Sequence, residues 1–378
     1  MIMRVLIVDD SLIFQHLIRE ALKEIPEVEV VGVASNGKLA ITGIRSLKPD
    51  LILLDLEMPE LDGLGVLREI REKKLSVGAI VLSAATTHGS AKTQNALELG
   101  AFHFVPKPSE VEPHLNIAAI RSSVAPLILA YARARALKAE LQVRPPSSES
   151  PEGTRSDPEP LPRVMADARS RNSQSGPSRT NAKRRPDLLL IGASTGGPDA
   201  LTRMLPQLQP GLGVSILIVQ HMPPIFTKGL ADSLAAKCAI GVKEAQDGDV
   251  LKPDFAYIAP GGRQMMVIPA SNGRKVIRIT DDPPENSCKP SVDYLFRSVA
   301  RYFPGKTLVL IMTGMGNDGT SGLRLLKPQG AITVAQDEAS CVVFGMPREA
   351  IQAGVIDYVF PLDRLALELT RLLQGAGL

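Results

Sequence analysis

The sequence predicts an α/β protein of two units joined by a polar segment, and three observations predict it. Five short apolar runs alternate with helix-like stretches before residue 123. Four further apolar runs, with a hairpin signal among them, follow residue 187. Between the two groups, residues 145–186 are rich in Pro, Ser, Arg and Glu and almost free of large apolar side chains. Strand–helix alternation argues for a parallel sheet with helices on both faces. A segment so poor in apolar surface cannot offset the entropy of ordering itself, which marks a flexible linker.

The first five strands are read at Val5-Leu6-Ile7-Val8, Val28-Glu29-Val30-Val31, Leu51-Ile52-Leu53-Leu54, Ala79-Ile80-Val81-Leu82 and Phe102-His103-Phe104-Val105. Segments such as 11–25 and 63–73 carry apolar residues at helical spacing. Residues 115–141, rich in Ala, Leu and Arg, read as a long helix leaving the first unit. In the second unit, Leu188-Leu189-Leu190-Ile191, Ile216-Leu217-Ile218-Val219, Leu308-Val309-Leu310-Ile311 and Ala331-Ile332-Thr333-Val334 have the continuous apolar character of buried parallel strands. Asn272-Gly273, flanked by β-branched residues within 265–280, signals a hairpin and so an antiparallel extension. The expected division is a first domain over 1–122, a helix and linker over 123–186, and a second domain over 187–378.

A chain of 378 residues, 44% hydrophobic and 22% charged, suits two globular domains. Its net charge of +3 gives no reason to expect nucleic-acid binding. No apolar run reaches the roughly 18 residues that span a bilayer. Asp9 and Asp10 interrupt the first run too early for a signal peptide. Cys238, Cys288 and Cys341 are scattered, with neither a disulfide framework nor metal-ligand spacing. A cytoplasmic protein without direct membrane insertion is the expectation.

Gly192-Ala193-Ser194-Thr195-Gly196-Gly197 follows a strand and precedes a helix that begins near Pro198. It fits Gly-x-Ser-x-Gly, a turn that leaves a serine hydroxyl unshielded. A phosphate-cradling glycine turn with an incidental serine fits equally, and the turn alone does not choose. A serine nucleophile needs a base. Of the five histidines, His16, His88, His103, His114 and His221, only His221 follows residue 187, just past a predicted strand. A carboxylate must then orient the imidazole. Asp318 is favoured because Thr313-Gly314-Met315-Gly316-Asn317-Asp318-Gly319 follows the strand 308–311, although such turns also use Asn and Asp for their own propensity. The three side chains each lie beyond the C-terminal end of a predicted strand. In a parallel sheet those ends share the edge where ligand sites form. The order Ser, His, Asp differs from that of the α/β-hydrolases.

Residues 187–360 resemble the catalytic domain of the chemotaxis protein-glutamate methylesterases, the CheB family. The resemblance rests on the Ser194 turn, Gln220-His221-Met222-Pro223, Tyr257-Ile258-Ala259-Pro260-Gly261-Gly262, Pro290-Ser291-Val292-Asp293, the 312–319 turn and Gly345-Met346-Pro347-Arg348-Glu349-Ala350, in that order. It implies a catalytic triad of Ser194, His221 and Asp318, and an oxyanion site from backbone N–H groups around Met315 and Gly316. It also implies no cofactor in this domain. The implied reaction is hydrolysis of glutamate γ-methyl esters on receptor helices through an acyl-enzyme; some members also deamidate receptor glutamines. Two departures bear on substrate fit: Gln264, where many relatives have His, and Cys288-Lys289, where His-Arg is frequent.

In the first unit Asp9-Asp10 ends the first strand, Asp55 the third, Ser83 the fourth and Lys107 the fifth. Clustered carboxylates suit Mg²⁺. A hydroxyl and an ammonium suit a phosphoryl group on Asp55. Singly, each also has a plain explanation as a cap, a turn residue or a solvated cation. Together they resemble the response-regulator receiver domain, in the segments Val8-Asp9-Asp10-Ser11, Leu54-Asp55-Leu56-Glu57-Met58-Pro59, Asp62-Gly63, Leu82-Ser83-Ala84 and Lys107-Pro108. The resemblance implies a flavodoxin-like strand order. It implies phosphorylation of Asp55 by a histidine kinase, and Mg²⁺ held by Asp9, Asp10, Asp55 and the Glu57 backbone carbonyl. Ser83 and Lys107 would bind the phosphoryl group, and Phe104 would occupy the aromatic switch position.

The combined expectation is a phosphorylation-gated hydrolase in which the receiver restricts entry to Ser194. Methyl-accepting chemoreceptors would be its substrate, a histidine kinase its phosphodonor, and the chain a monomer. Two alternatives stand beside it: a phospho-switched module that only docks, and a related esterase serving a receptor array outside chemotaxis.

Overall fold

A computed structural model describes residues 2–83, 86–108, 113–143, 185–270, 273–304 and 307–375. Ala84, Asn272 and nearly all of the expected linker lie outside the described residues. In the first unit, β1 (Met3–Val8), β2 (Val28–Ala34), β3 (Leu51–Asp55), β4 (Gly78–Ser83) and β5 (His103–Pro106) form one parallel sheet in the order β2-β1-β3-β4-β5. This is the order that the receiver resemblance implied. Every residue of central β3 is buried, as its unbroken apolar run requires. The sheet is covered by α1 (Leu12–Lys23), α2 (Gly37–Leu47), α3 (Gly63–Glu72), α4 (Thr87–Glu98) and α5 (Pro113–Val143). Polar caps fix where these helices start. The Ser11 hydroxyl accepts from Phe14 N at the head of α1, and the Asp62 carboxylate from Gly65 N at the head of α3.

The long helix expected over 115–141 is α5. By length and composition its stretch His114–Ala136 could cross a membrane. Leu115 and Leu129 are exposed, but one face of the helix is engaged in the core. Ile120, Val124, Leu127 and Ile128 recur at helical spacing and are buried in one cluster with Ile7, Ile18 and Leu53.

The second unit is built on β6 (Leu188–Ala193), β7 (Ser215–Gln220), β8 (Gly241–Glu244), β9 (Phe255–Ile258), β12 (Thr307–Ile311), β13 (Ile332–Gln336) and β14 (Tyr358–Phe360). These pair in parallel in the order β14-β13-β12-β6-β7-β9-β8. The hairpin expected over 265–280 is β10 (Gln264–Pro269) paired antiparallel with β11 (Lys275–Thr280). The helices are α6 (Gly197–Met204), α7 (Phe226–Ala235), α8 (Val292–Tyr302), α9 (Thr320–Leu326), α10 (Met346–Gln352) and α11 (Leu362–Leu373). Strands β8, β9 and β14 go beyond the apolar runs read from sequence. Each has only three or four residues, and β8 and β14 lie at the sheet edges, where one buried face suffices.

The two units meet through α4 and β5 on one side and α7 on the other. Phe104 packs against Phe226 with the rings tilted by 37° and their centroids 4.5 Å apart. Glu98 pairs with Lys237 at 2.5 Å and accepts from the Ser233 hydroxyl at 2.8 Å.

Candidate active site

Strand order explains why three residues distant in sequence converge. β6 is central, with β12 on one side and β7 on the other. Ser194 follows β6, His221 follows β7, and Asp318 lies in the turn after β12. Backbone bonds tie these ends together: Ser194 N donates to Thr313 O at 3.0 Å, and His221 N to Ala193 O at 3.1 Å. The serine turn is held from below, since Gln220 Nε2 donates to Ser194 O at 2.8 Å. Two glycines are required by close approach. A Cβ on Gly197 would sit 1.9 Å from Gln220 Oε1, and one on Gly314 would sit 2.8 Å from Ser194 Cβ.

Asp318 is 3% exposed and fully engaged. Its Oδ2 lies 2.8 Å from His221 Nε2 and accepts from Val292 N at 2.7 Å. Its Oδ1 accepts from Asn286 Nδ2, Ser291 Oγ, Asp293 N and Gly319 N, all at 2.9–3.1 Å. Burial alone would raise the carboxyl pKa. The His221 bond and the backbone donors outweigh it and bring the group to about 2. Burial likewise opposes charge on His221, but Asp318 and then Cys288 outweigh it and raise the imidazole to about 9. An ionised Asp318 therefore fixes Nε2 as the donor and leaves Nδ1 for chemistry.

Nδ1 faces Cys288 Sγ at 3.5 Å. Among the described residues no hydrogen bond joins Ser194 Oγ to His221, yet both line one cavity of about 350 Å³ with Cys288 and Met315. Catalytic hydrogen bonds are often loose without substrate. Met315 and Gly316 supply the expected turn; Gly316 has φ +86°, and neither N–H donates to a protein acceptor among the described residues. The opposite wall of the cavity is formed by His103, Phe104, Pro106, Ser123 and Pro126 of the first unit. A second imidazole thus borders the cavity beside the one in the second unit, and burial lowers its pKa to about 4.

Sequence reasoning assigned no role to the residues that hold the carboxylate. Asn286 donates to both Asp318 and Asp293, Asp293 accepts from Gly322 N, and Ser291 caps α8 while donating to Asp318. The signal was present in Pro290-Ser291-Val292-Asp293, whose Ser begins a helix aimed at Asp318. Gln264, one of the two departures, is buried. It accepts from Ser291 N and donates to Pro283 O and Cys288 O, so it holds the loop behind the site.

In the first unit Asp9, Asp10 and Asp55 bring carboxylate oxygens within 4.8 Å of one another. Lys107 Nζ bridges Asp55 Oδ2 at 2.6 Å and Asp9 Oδ2 at 2.8 Å. Burial opposes charge on Lys107, but these two carboxylates outweigh it and raise its pKa. Burial also raises Asp55, against the Lys107 bond. An all-oxygen donor set with more negative charge than one lysine neutralises fits a hard divalent cation. The Glu57 side chain pairs with Lys92 at 3.1 Å, and its N–H donates to Asp55 Oδ1 at 3.3 Å. Ser83 is joined to Lys107 through the backbone, and its hydroxyl accepts from Thr93 Oγ1 at 2.7 Å. Phe104, expected at a switch position, is buried in the contact between the units.

The sheet orders and these two polar clusters define a receiver-type unit joined to a parallel α/β unit with a serine-hydrolase-type site. The family model for the response regulator receiver domain matches residues 5–118, and that for the CheB methylesterase matches residues 189–369. A Desulfotalea psychrophila protein named protein-glutamate methylesterase/protein-glutamine glutaminase is 47% identical over 368 residues, 97% of either chain. A Trichodesmium erythraeum protein of the same name is 39% identical over 97% of this chain and 98% of its own. The crystal structure of the Thermotoga maritima CheB methylesterase catalytic domain is 40% identical, covering 50% of this chain and 98% of its own, at a TM-score of 0.47. The chain belongs to the CheB methylesterase family.

Proposed function

We propose that this chain is a phosphorylation-gated protein-glutamate methylesterase acting on chemoreceptors. The observation that carries the reading is the convergence of Ser194, His221 and a fully hydrogen-bonded Asp318 at the ends of three adjacent strands. Ser194 Oγ attacks the γ-ester carbonyl while His221 Nδ1 takes its proton. Asp318 stabilises the resulting imidazolium, and the Met315 and Gly316 N–H groups stabilise the oxyanion. His221 then protonates the departing methoxide. Water, activated by the same nitrogen, regenerates Ser194 and leaves glutamate. The relatives' names also include a glutaminase. The same acyl route would accept a glutamine amide and release ammonia.

The organisation proposed is a receiver over 1–122, a helix and linker over 123–186, and a catalytic unit over 187–378, in a cytoplasmic monomer. Asp55 is the phosphoacceptor for a histidine kinase. Asp9, Asp10, Asp55 and the Glu57 carbonyl would hold Mg²⁺, which when bound neutralises charge at the phosphoryl group. Ser83 and Lys107 would contact that group, and Phe104 would report it to the domain contact. The first-unit residues that wall the cavity support restriction of the site before phosphorylation.

The test is methanol release from methylated receptor membranes by the full chain, with and without a small-molecule phosphodonor. Release stimulated by the phosphodonor and lost in Ser194→Ala is expected. Release that survives Ser194→Ala removes Ser194 as nucleophile. A chain that binds receptor but releases no methanol is a docking module.

A further inference from the structure

One contact at the site has no place in the reaction above. The nitrogen needed by Ser194, His221 Nδ1, faces the thiol of Cys288 at 3.5 Å. Asp318 cannot turn toward that thiol, because both of its oxygens are engaged by the donors that hold it. Its bond to Nε2 also commits the imidazole to the tautomer with a lone pair on Nδ1. A thiolate sulfur and an imidazole nitrogen are the ligand pair that borderline cations such as Zn²⁺ prefer over the oxygen ligands of Mg²⁺. Zn–S and Zn–N bonds of usual length, meeting at a tetrahedral angle, set sulfur and nitrogen about 3.6 Å apart. The observed separation is already that bite, so a cation could replace the proton shared by Cys288 and His221 with little rearrangement. Both residues border the cavity, which leaves room for water or the Ser194 hydroxyl as further ligands.

We propose that Cys288 and His221 form a site for Zn²⁺ or a similar borderline cation, and that its occupation stops hydrolysis by sequestering the base. The binding stands independently of the hydrolase reading; the inhibition rests on it. Binding displaces to solvent the protons held at His221 Nδ1 and Cys288 Sγ, and needs no oxidant.

Co²⁺ serves as the spectroscopic probe. The full chain is titrated with Co²⁺ while the thiolate-to-cobalt charge-transfer absorption is followed. One equivalent should produce the band in the wild type and in the Cys238→Ser/Cys341→Ser double variant. The band should vanish in Cys288→Ser, and His221→Gln should weaken cobalt binding about tenfold or more. A wild-type chain without the band, or a band that persists in Cys288→Ser, overturns the site. In parallel, Zn²⁺ should inhibit methanol release reversibly, with a chelator restoring it, and Cys288→Ala should be about tenfold less sensitive. Equal sensitivity in Cys288→Ala overturns the inhibitory assignment. If the band behaves as expected but the metal-free chain never releases methanol, the cation site stands and the hydrolase reading falls.

Discussion

Asp318 and His221 pull the pH dependence of activity and of stability in opposite directions. His221 is held at about 9, so its basic form is scarce at neutral pH and grows as pH rises. The pH profile of kcat/KM for ester hydrolysis should therefore climb toward an inflection near 9, well above the ordinary imidazole value of 6.5. Cys288→Ala should move that inflection down, because Cys288 helps hold the proton; an unmoved inflection would remove Cys288 from the account. A raised histidine contributes stability that is complete below 6.5 and lost as pH rises through about 9. A lowered aspartate contributes stability present above 3.8 and lost as pH falls through about 2. The pair is thus most stabilising between those two ordinary values. Thermal melting should show the midpoint falling over the alkaline range in which the rate rises. Asn286 adds a separate test. Asn286→Ala removes a donor shared by the Asp293 and Asp318 carboxylates, and Asp293 is already raised by burial, with the Asp318 charge adding to it. We expect kcat to fall by about tenfold or more with KM little changed, the signature of a misoriented imidazole.

At the scale of elements, the proposed gating would rest on how α4 and β5 grip α7. Phe104 and Phe226 are both buried at that contact, and Glu98 pairs with Lys237 beside them. Phe104→Ala should weaken docking by about 1–2 kcal/mol, which multiplies a minor open population about 5- to 30-fold. Methanol release without phosphodonor should rise accordingly, and the further stimulation by phosphodonor should shrink. Glu98→Lys should act in the same direction through like-charge repulsion, with a smaller effect because the pair is part exposed. Unchanged basal rates in both variants would detach this contact from the gate. The elements themselves were largely legible in the sequence. Long apolar runs marked both sheet centres, where burial on two faces leaves no room for polar residues. Strands β8 and β14 were not, because an edge strand of three or four residues carries too little pattern. The site was legible to the same degree. Ser194, His221 and Asp318 stand at strand ends that the apolar runs locate. Asn286 and Cys288 come from an irregular loop, and nothing local to that loop reveals which distant side chain it will meet.

Across the whole molecule two short routes run from the strand ends around Asp55 to the contact between the units. One passes from Lys107, which bridges Asp55 and Asp9, along β5 to Phe104 and so to Phe226. The other passes from Ser83 through its hydrogen bond with Thr93 on α4, and along that helix to Glu98, Ser233 and Lys237. A phosphoryl group on Asp55 would draw Lys107 and the Ser83 hydroxyl toward itself, since both complement its charge. Either movement would bear on the same contact, so the proposed switch would have two handles on it. Thr93→Val isolates the second handle. It keeps the shape of the side chain and removes the hydroxyl that holds Ser83, while lying outside both polar clusters. If the α4 route carries coupling, the ratio of methanol release with and without phosphodonor should fall in Thr93→Val, and Asp55 should still be phosphorylated. Asp55→Asn should abolish the ratio altogether. A Thr93→Val chain that is phosphorylated and stimulated like the wild type would leave the β5 route, through Phe104, to carry the signal alone.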